Sequence, residues 1–271
     1  MSTLPDSNTP LSPEEMPFVA PCRTLDAAAP LRWLRLGWAD FVRAPTQSLA
    51  YGLALMLLSM AIGGFTWRFG TLALYIGFAT GFVFIGPVLA VGLYSISRQL
   101  EAGQQPLLGY CMSEGWDHIR DLLVLGLVLL VVLLVWARAA TTIYIFFPDQ
   151  AHPDWRQLLP FFGIGSAVGA VFATIVFAAS AFSLPMILDR KVDAISAVVT
   201  SVNAVLRNKK PMIVWAALIG LFVVLGFGSA FLGFTVLLPV IGHATWHAYR
   251  ETIDASAWPR NEPVQSGAIA G

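Results

Sequence analysis

"RKVDAISAVVTSVNAVLRNKKPMIVWAALIGLFVVLGFG", residues 190–228, carries two patterns one after the other. In its first half Val192, Ile195, Val199, Val202 and Leu206 recur at spacings of three and four, the apolar stripe of a helix, with Asp193, Ser196, Thr200, Asn203 and Arg207 on the other side. Such a helix is expected to lie along the cytoplasmic membrane interface. After Arg207, Lys209 and Lys210 the ionised residues stop, and 211–242 is free of Asp, Glu, Lys, Arg and His. A charge in hydrocarbon is costly and a spanning helix needs about 20 mostly apolar residues, so the second half predicts a membrane helix. An interfacial helix, a basic turn and a membrane helix form the unit from which the rest is read.

The same test applied to all 271 residues, 57% hydrophobic and only 12% charged, gives charge-free runs at 44–67, 69–97, 122–137, 157–188 and 211–242. A soluble domain carries roughly a quarter charged residues. The last run is too long for one helix and is expected to turn at "GFGSAFLG", 226–233, while "ARAATTIYIFF" extends the short third run. The expected fold is an all-α membrane protein with six transmembrane helices, near 46–65, 70–96, 122–146, 159–187, 211–228 and 231–249.

Basic residues orient it. Arg23, Arg32, Arg35 and Arg43 precede the first span, Arg98 and Arg120 follow the second, and Arg190, Lys191, Arg207, Lys209 and Lys210 follow the fourth; Arg250 and Arg260 follow the last. Since Lys and Arg stay in cytoplasmic segments beside membrane helices, both termini are expected on the cytoplasmic side of a multi-pass protein. Trp67, Trp136 and Trp155 are expected at the outer interface, and Trp33, Trp38, Trp116, Trp215 and Trp246 at the inner one. Residues 1–30, rich in Pro and Ser at their start, read as a disordered cytoplasmic tail and not as a signal peptide, so the first membrane helix is its own insertion signal; 251–271 reads as a second tail, and 31–250 as the membrane domain. Cys22 and Cys111 fall on the reducing side, where no disulfide is expected. Sixteen basic residues balance sixteen acidic ones, which argues against nucleic acid as a partner. The implied partners are the lipid bilayer and other membrane-protein subunits.

Three segments before the odd-numbered spans resemble one another: "GWADFVR" at 37–43, "GWDHIR" at 115–120 and "SVNAVLR" at 201–207, ending in the basic anchors Arg43, Arg120 and Arg207. The even-numbered spans each hold a proline, Pro87, Pro185 and Pro239, in "GPVLAVGLY", "LPMIL" and "LPVIGHATW". A proline frees a carbonyl one turn back and kinks the helix. The chain therefore reads as three repeats of an interfacial amphipathic helix plus a helical hairpin. With "GWADFVRAPTQSLAYG", "FVFIGPVLAVGLYSISRQLEAG", "SLPMILDRKVDAISAVVTSVNAVLRNKKPMIVWA" and "LPVIGHATWHAYR" in this order, residues 31–250 resemble the bacterial integral membrane proteins grouped as domain of unknown function 2189. The resemblance implies an inner-membrane protein of no established activity, sometimes loosely labelled as akin to a cytochrome oxidase subunit, and it supplies no catalytic residues and no cofactor.

Candidate chemistry centres on His243 and His247, one helical turn apart and on one helix face with Trp246 and Arg250. Together with His118, and with Asp117 and Glu114 at the same level as possible carboxylate ligands, they are a candidate metal set, though a metal needs three or four ligands. The plainer account is a helix end anchored at the headgroups, and it is favoured here. A haem held by both histidines is excluded, since one helix cannot present both to opposite axial faces. Asp149, His152, Asp154 and Arg156 read as a solvated outer loop, and Arg138 as a side chain reaching the outer headgroups. Gly165 and Gly169 form a G-x-x-x-G expected to pack helices closely. No span holds a carboxylate, which weighs against a proton-coupled transporter, and no phosphate loop, H-E-x-x-H or G-x-S-x-G motif occurs. The expected function is a scaffold, assembly or lipid-interacting membrane component that is not an enzyme. A transporter or channel for a small uncharged or lipidic solute, and a metal or redox protein using the histidines, are the alternatives.

Overall fold

The computed structural model describes residues 17–69, 90–145 and 154–261. Among them the regular structure is helical: α1 (Ala29–Arg43), α2 (Pro45–Phe69), α3 (Val91–Glu101), α4 (Leu108–Asp117), α5 (Ile119–Tyr144), α6 (Trp155–Ser180), α7 (Ser183–Asp189), α8 (Ala194–Arg207), α9 (Lys209–Gly228) and α10 (Phe234–Thr252). Four described stretches are long and apolar enough to cross a membrane: Pro45–Phe69, Ile119–Tyr144, Leu158–Asp189 and Lys209–Gly228. The second expected span, with Pro87, lies mostly outside the described residues. The sixth falls on α10, which is not one of the four; its second half carries His243, His247, Arg250 and Glu251.

Three times a short helix runs into a long one across a single residue: α1 to α2 at Ala44, α4 to α5 at His118, and α8 to α9 at Asn208. Seven positions before each junction stand Gly37, Cys111 and Ser201, and four before it Asp40, Glu114 and Ala204, all buried. Helix signals in the sequence explain the starts. Asp193 caps α8 by accepting from the N–H groups of Ile195 and Ser196 at 3.0 and 2.9 Å, and Pro30, Pro45 and Pro211 sit in first turns, where no intrahelical donor is needed.

The middle of the molecule is α10, which packs on α1, α2 and α3. A Cβ on Gly37 of α1 would come within 2.6 Å of Ala244 N, and one on Gly52 of α2 would collide with the carbonyl of Thr235. That carbonyl is the one Pro239 frees inside α10, and the missing side chain of Gly52 lets α2 lie directly against it. At Pro185 the chain breaks outright: α6 ends at Ser180 and α7 begins at Ser183. Ser201 of α8 bridges the gap, accepting from Phe182 N at 3.1 Å and donating to Ala178 O at 2.7 Å.

Several expectations are corrected here. The tails are shorter than 1–30 and 251–271, because Arg23 N donates to Thr252 O, Asp254 N to Pro21 O, Lys191 N to Pro259 O and Asn261 N to Asp189 O, all at 2.8–2.9 Å. Residues 1–16 and 262–271 lie outside the described residues. Gly165 and Gly169 do not make a close helix contact: a Cβ on either meets nothing within 4 Å. The tight approaches are at Gly37 and Gly52 instead. Trp33, Trp215 and Trp246 are buried in protein and not at a lipid interface, with Trp33 and Trp215 edge to face at 5.6 Å. The turn expected at 226–233 is present, but α9 runs to Gly228, and Ala230 and Phe231, not glycines, take the left-handed conformation at φ 52° and 71°.

Candidate functional site

At one end of the bundle, the last turns of α3, α7 and α10 meet α1, α4 and α8, and the polar side chains concentrate there. Burying a charge is costly unless it is paired and hydrogen-bonded, and the pairing is dense. Arg98 of α3 forms an ion pair with Glu114 of α4, donates to Leu188 O at 2.6 Å and to the Tyr110 hydroxyl at 3.1 Å; that hydroxyl donates to Glu114 at 3.0 Å. Glu101 accepts two bonds from Arg250, at 3.0 and 2.8 Å, and one from the Trp246 indole at 2.9 Å. Asp189 accepts from the Tyr249 hydroxyl at 2.8 Å and from Arg190 Nε at 2.9 Å. Burial opposes the positive charge of Arg250, yet Glu101 and Asp189 together raise that guanidinium above its ordinary value.

Both terminal segments seal this cap. The side-chain amide nitrogen of Asn261 sits 3.0–3.1 Å from the carbonyls of Ile187, Leu188 and Arg190, which share its two N–H groups at the buried C-terminal end of α7, and lies 2.9 Å from His118 Nε2. Arg190 reaches Trp258 O at 2.8 Å. Asn208 accepts from Leu25 N at 2.9 Å and donates to Arg23 O at 3.0 Å. Glu251 takes Arg32 at 2.6 Å and the Trp33 indole at 2.7 Å.

The three candidate histidines are not brought onto one point. His118 contacts Asn261 and, through Nδ1, Glu114 O at 3.1 Å. His243 is fully buried, with Nε2 3.0 Å from Ser48 Oγ and Nδ1 2.9 Å from Ser97 Oγ, so it does not face headgroups. His247 meets Asp40 at 2.7 Å. Among the described residues no group of three or more His, Cys, Asp or Glu is arranged to hold a metal ion. The basic anchors divide: Arg43 and Arg207 close short helices and are exposed, whereas Arg120 is the second residue of the long α5. Of the outer loop, Asp149 and His152 lie outside the described residues, and Arg156 stacks over Trp155 at 5.6 Å.

Sequence reasoning missed Ser48, Ser97, Glu101, Asp189 and Asn261, and it read Glu114 as a possible metal carboxylate, whereas Glu114 pairs with Arg98. One signal pointed to part of the cap: Arg98 follows Pro87 by eleven residues, and Arg250 follows Pro239 by the same interval. Chemically the arrangement is a clamp. Among the described residues, only Arg98 Nε and Glu114 Oε2 are buried side-chain polar atoms without a hydrogen-bond partner.

No curated protein and no solved structure matches the chain. A family model, described as a predicted integral membrane protein (DUF2189), matches residues 74–189, a narrower stretch than the 31–250 that the quoted motifs span. That stretch runs from the second expected span through the Arg98–Glu114 pair to Asp189 at the end of α7. By this match residues 74–189 are similar to the DUF2189 family of predicted integral membrane proteins.

Proposed function

We propose that this protein is a non-enzymatic membrane component, a scaffold or assembly factor whose cap is a rigid platform on the cytoplasmic face of an inner membrane. The observation that carries the reading is the self-sufficiency of the cap: its buried acids, bases, serines and histidines are engaged with one another and with backbone. A catalytic or ion-conducting centre leaves reactive groups facing a substrate.

The architecture in this reading is six spans in three hairpins, each entered through a short interfacial helix and returning to the cap. Three observations support it: the three single-residue junctions, the matching buried positions four and seven residues before them, and the meeting of both terminal segments with α3, α7 and α10. Two of the four-before positions, Asp40 and Glu114, are carboxylates clamped by a cation-forming side chain of a returning helix, His247 and Arg98.

Purification from native membranes in mild detergent, with the tagged chain at its natural abundance, tests the scaffold reading. A defined second polypeptide in constant ratio, with a membrane complex lost on deletion of the gene, is the expected result. A chain that purifies alone, with every membrane complex intact in its absence, overturns it.

A further inference from the structure

Two cap helices carry large apolar side chains on their outward faces as well as on their buried ones. On α8 the polar positions Ser196, Thr200 and Ser201 turn inward: Thr200 Oγ1 accepts from Ala20 N at 3.1 Å, and Ser201 bridges the α6–α7 break. Its outward face carries Ile195 and Leu206. On α1, Trp33, Gly37, Asp40 and Phe41 face inward, and Leu31, Trp38 and Val42 face outward.

These five outward side chains are 52–59% exposed, and they fall in one register. Counted back from Ala44 and from Asn208, Leu31 matches Ile195, Trp38 matches Val202 and Val42 matches Leu206; Arg43 matches Arg207. A soluble surface helix would point its apolar stripe at the core. These two bury one apolar face, with Trp33 and Phe41 on α1 and Ala197 and Val205 on α8, and present a second one outward, one residue before a long apolar helix begins. The exposed charges within α1, within α8 and at the α8–α9 junction are all positive. Arg35 and Arg43 are exposed on α1, and Arg207, Lys209 and Lys210 are exposed at the α8–α9 junction. No Asp or Glu occurs between 194 and 212, and the one acid of α1, Asp40, is buried against His247. Among the described residues no carboxylate pairs with Arg207, Lys209 or Lys210.

We propose that these outward faces are a binding surface for anionic phospholipids, with the acyl chains against the apolar stripe and the headgroup phosphate held at Arg207, Lys209 and Lys210, and more weakly at Arg43. The complementarity is apolar stripe to hydrocarbon and basic cluster to phosphodiester, the pattern of polybasic segments at a membrane surface. The α8–α9 junction is the tighter of the two, because it holds three cations within four residues. The inference deepens the membrane-component reading but rests only on the chain lying in a bilayer.

The full chain, purified in mild detergent and loaded from mixed phosphatidylglycerol and phosphatidylcholine vesicles, is tested by native mass spectrometry for retained lipid. Preferential retention of phosphatidylglycerol is expected, falling at least about tenfold in R207Q/K209Q/K210Q, since each cation at a charged surface contributes about fivefold. Retention by the wild type is also expected to fall as salt rises. Equal retention of both lipids, salt-insensitive retention, or undiminished retention by the triple variant overturns the proposal. So does displacement by free glycerol phosphate, which would assign the site to a soluble anion. The assay uses isolated protein, so its failure is separate from failure of the scaffold reading, which is scored in cells.

Discussion

Arg98 and Glu114 are the most consequential single residues, because each is nearly inaccessible to water and is neutralised by the other. Removing one partner of a buried pair leaves an uncompensated charge and costs about 3 kcal/mol or more, whereas replacing both is much less harmful. Arg98→Met and Glu114→Gln are each expected to lose about 3 kcal/mol in equilibrium unfolding in mixed micelles, and the double variant is expected to recover part of that loss. Nearby Cys111 illustrates burial as the leading influence on a titrating group. Burial pushes its thiol above the ordinary range, against bonds from Ser95 and Gln99 that act in the other direction. The unfolded thiol therefore ionises first, so stability falls as pH rises through the ordinary thiol range. In maleimide labelling of the native protein at neutral pH, Cys22, which is only half-buried, is expected to react, and Cys111 to react only after unfolding.

Among elements, α10 organises the packing and α8 the cap, and each gives a contrast between sites that look alike in sequence. Gly52 has no room for a methyl group against Thr235 O, while Gly165 faces open space. Gly52→Ala is expected to destabilise by about 3 kcal/mol through overpacking, and Gly165→Ala to be neutral or slightly stabilising through helix propensity. Thermal unfolding of the pair, in one detergent, makes the comparison. At α8, Asp193→Ala removes an N-cap that accepts two backbone N–H groups, with an expected loss of about 1 kcal/mol; Asp193→Asn retains most of the stability.

At the scale of the whole molecule, the long apolar helices were legible in the sequence because exclusion of charge from hydrocarbon acts along the chain. The stretches 44–67, 122–137 and 211–228 needed no partner to be recognised. The cap was not legible for the opposite reason. Its bonds join Arg98 to Glu114, Asp40 to His247, Glu101 to Arg250 and His118 to Asn261, and all but the first span more than a hundred residues. His243 and His247 were visible as a pair, but their partners Ser48, Ser97 and Asp40 carry no motif. Of the apolar positions read on α8, Ile195 and Leu206 face outward while Val192 is buried and Val202 packs on the core, a division that depends on what Thr200 and Ser201 bind. Near the chain ends, Pro21, Trp258 and Asn261 belong to the packed molecule through backbone bonds that composition does not announce.

Every hairpin is expected to start and finish at one cap, with both terminal segments on the same side of the membrane. Single cysteines at Phe18 and Ser256, at the two ends, and at Trp67 and Trp155, at the far ends of α2 and α6, all in a background lacking Cys22 and Cys111, test it by labelling intact cells with an impermeant maleimide. All four positions are exposed. Trp67→Cys and Trp155→Cys are expected to label from outside, and Phe18→Cys and Ser256→Cys only after the membrane is opened. Labelling of Phe18→Cys and Ser256→Cys from opposite sides, or of Trp155→Cys from the same side as Ser256→Cys, would contradict the account.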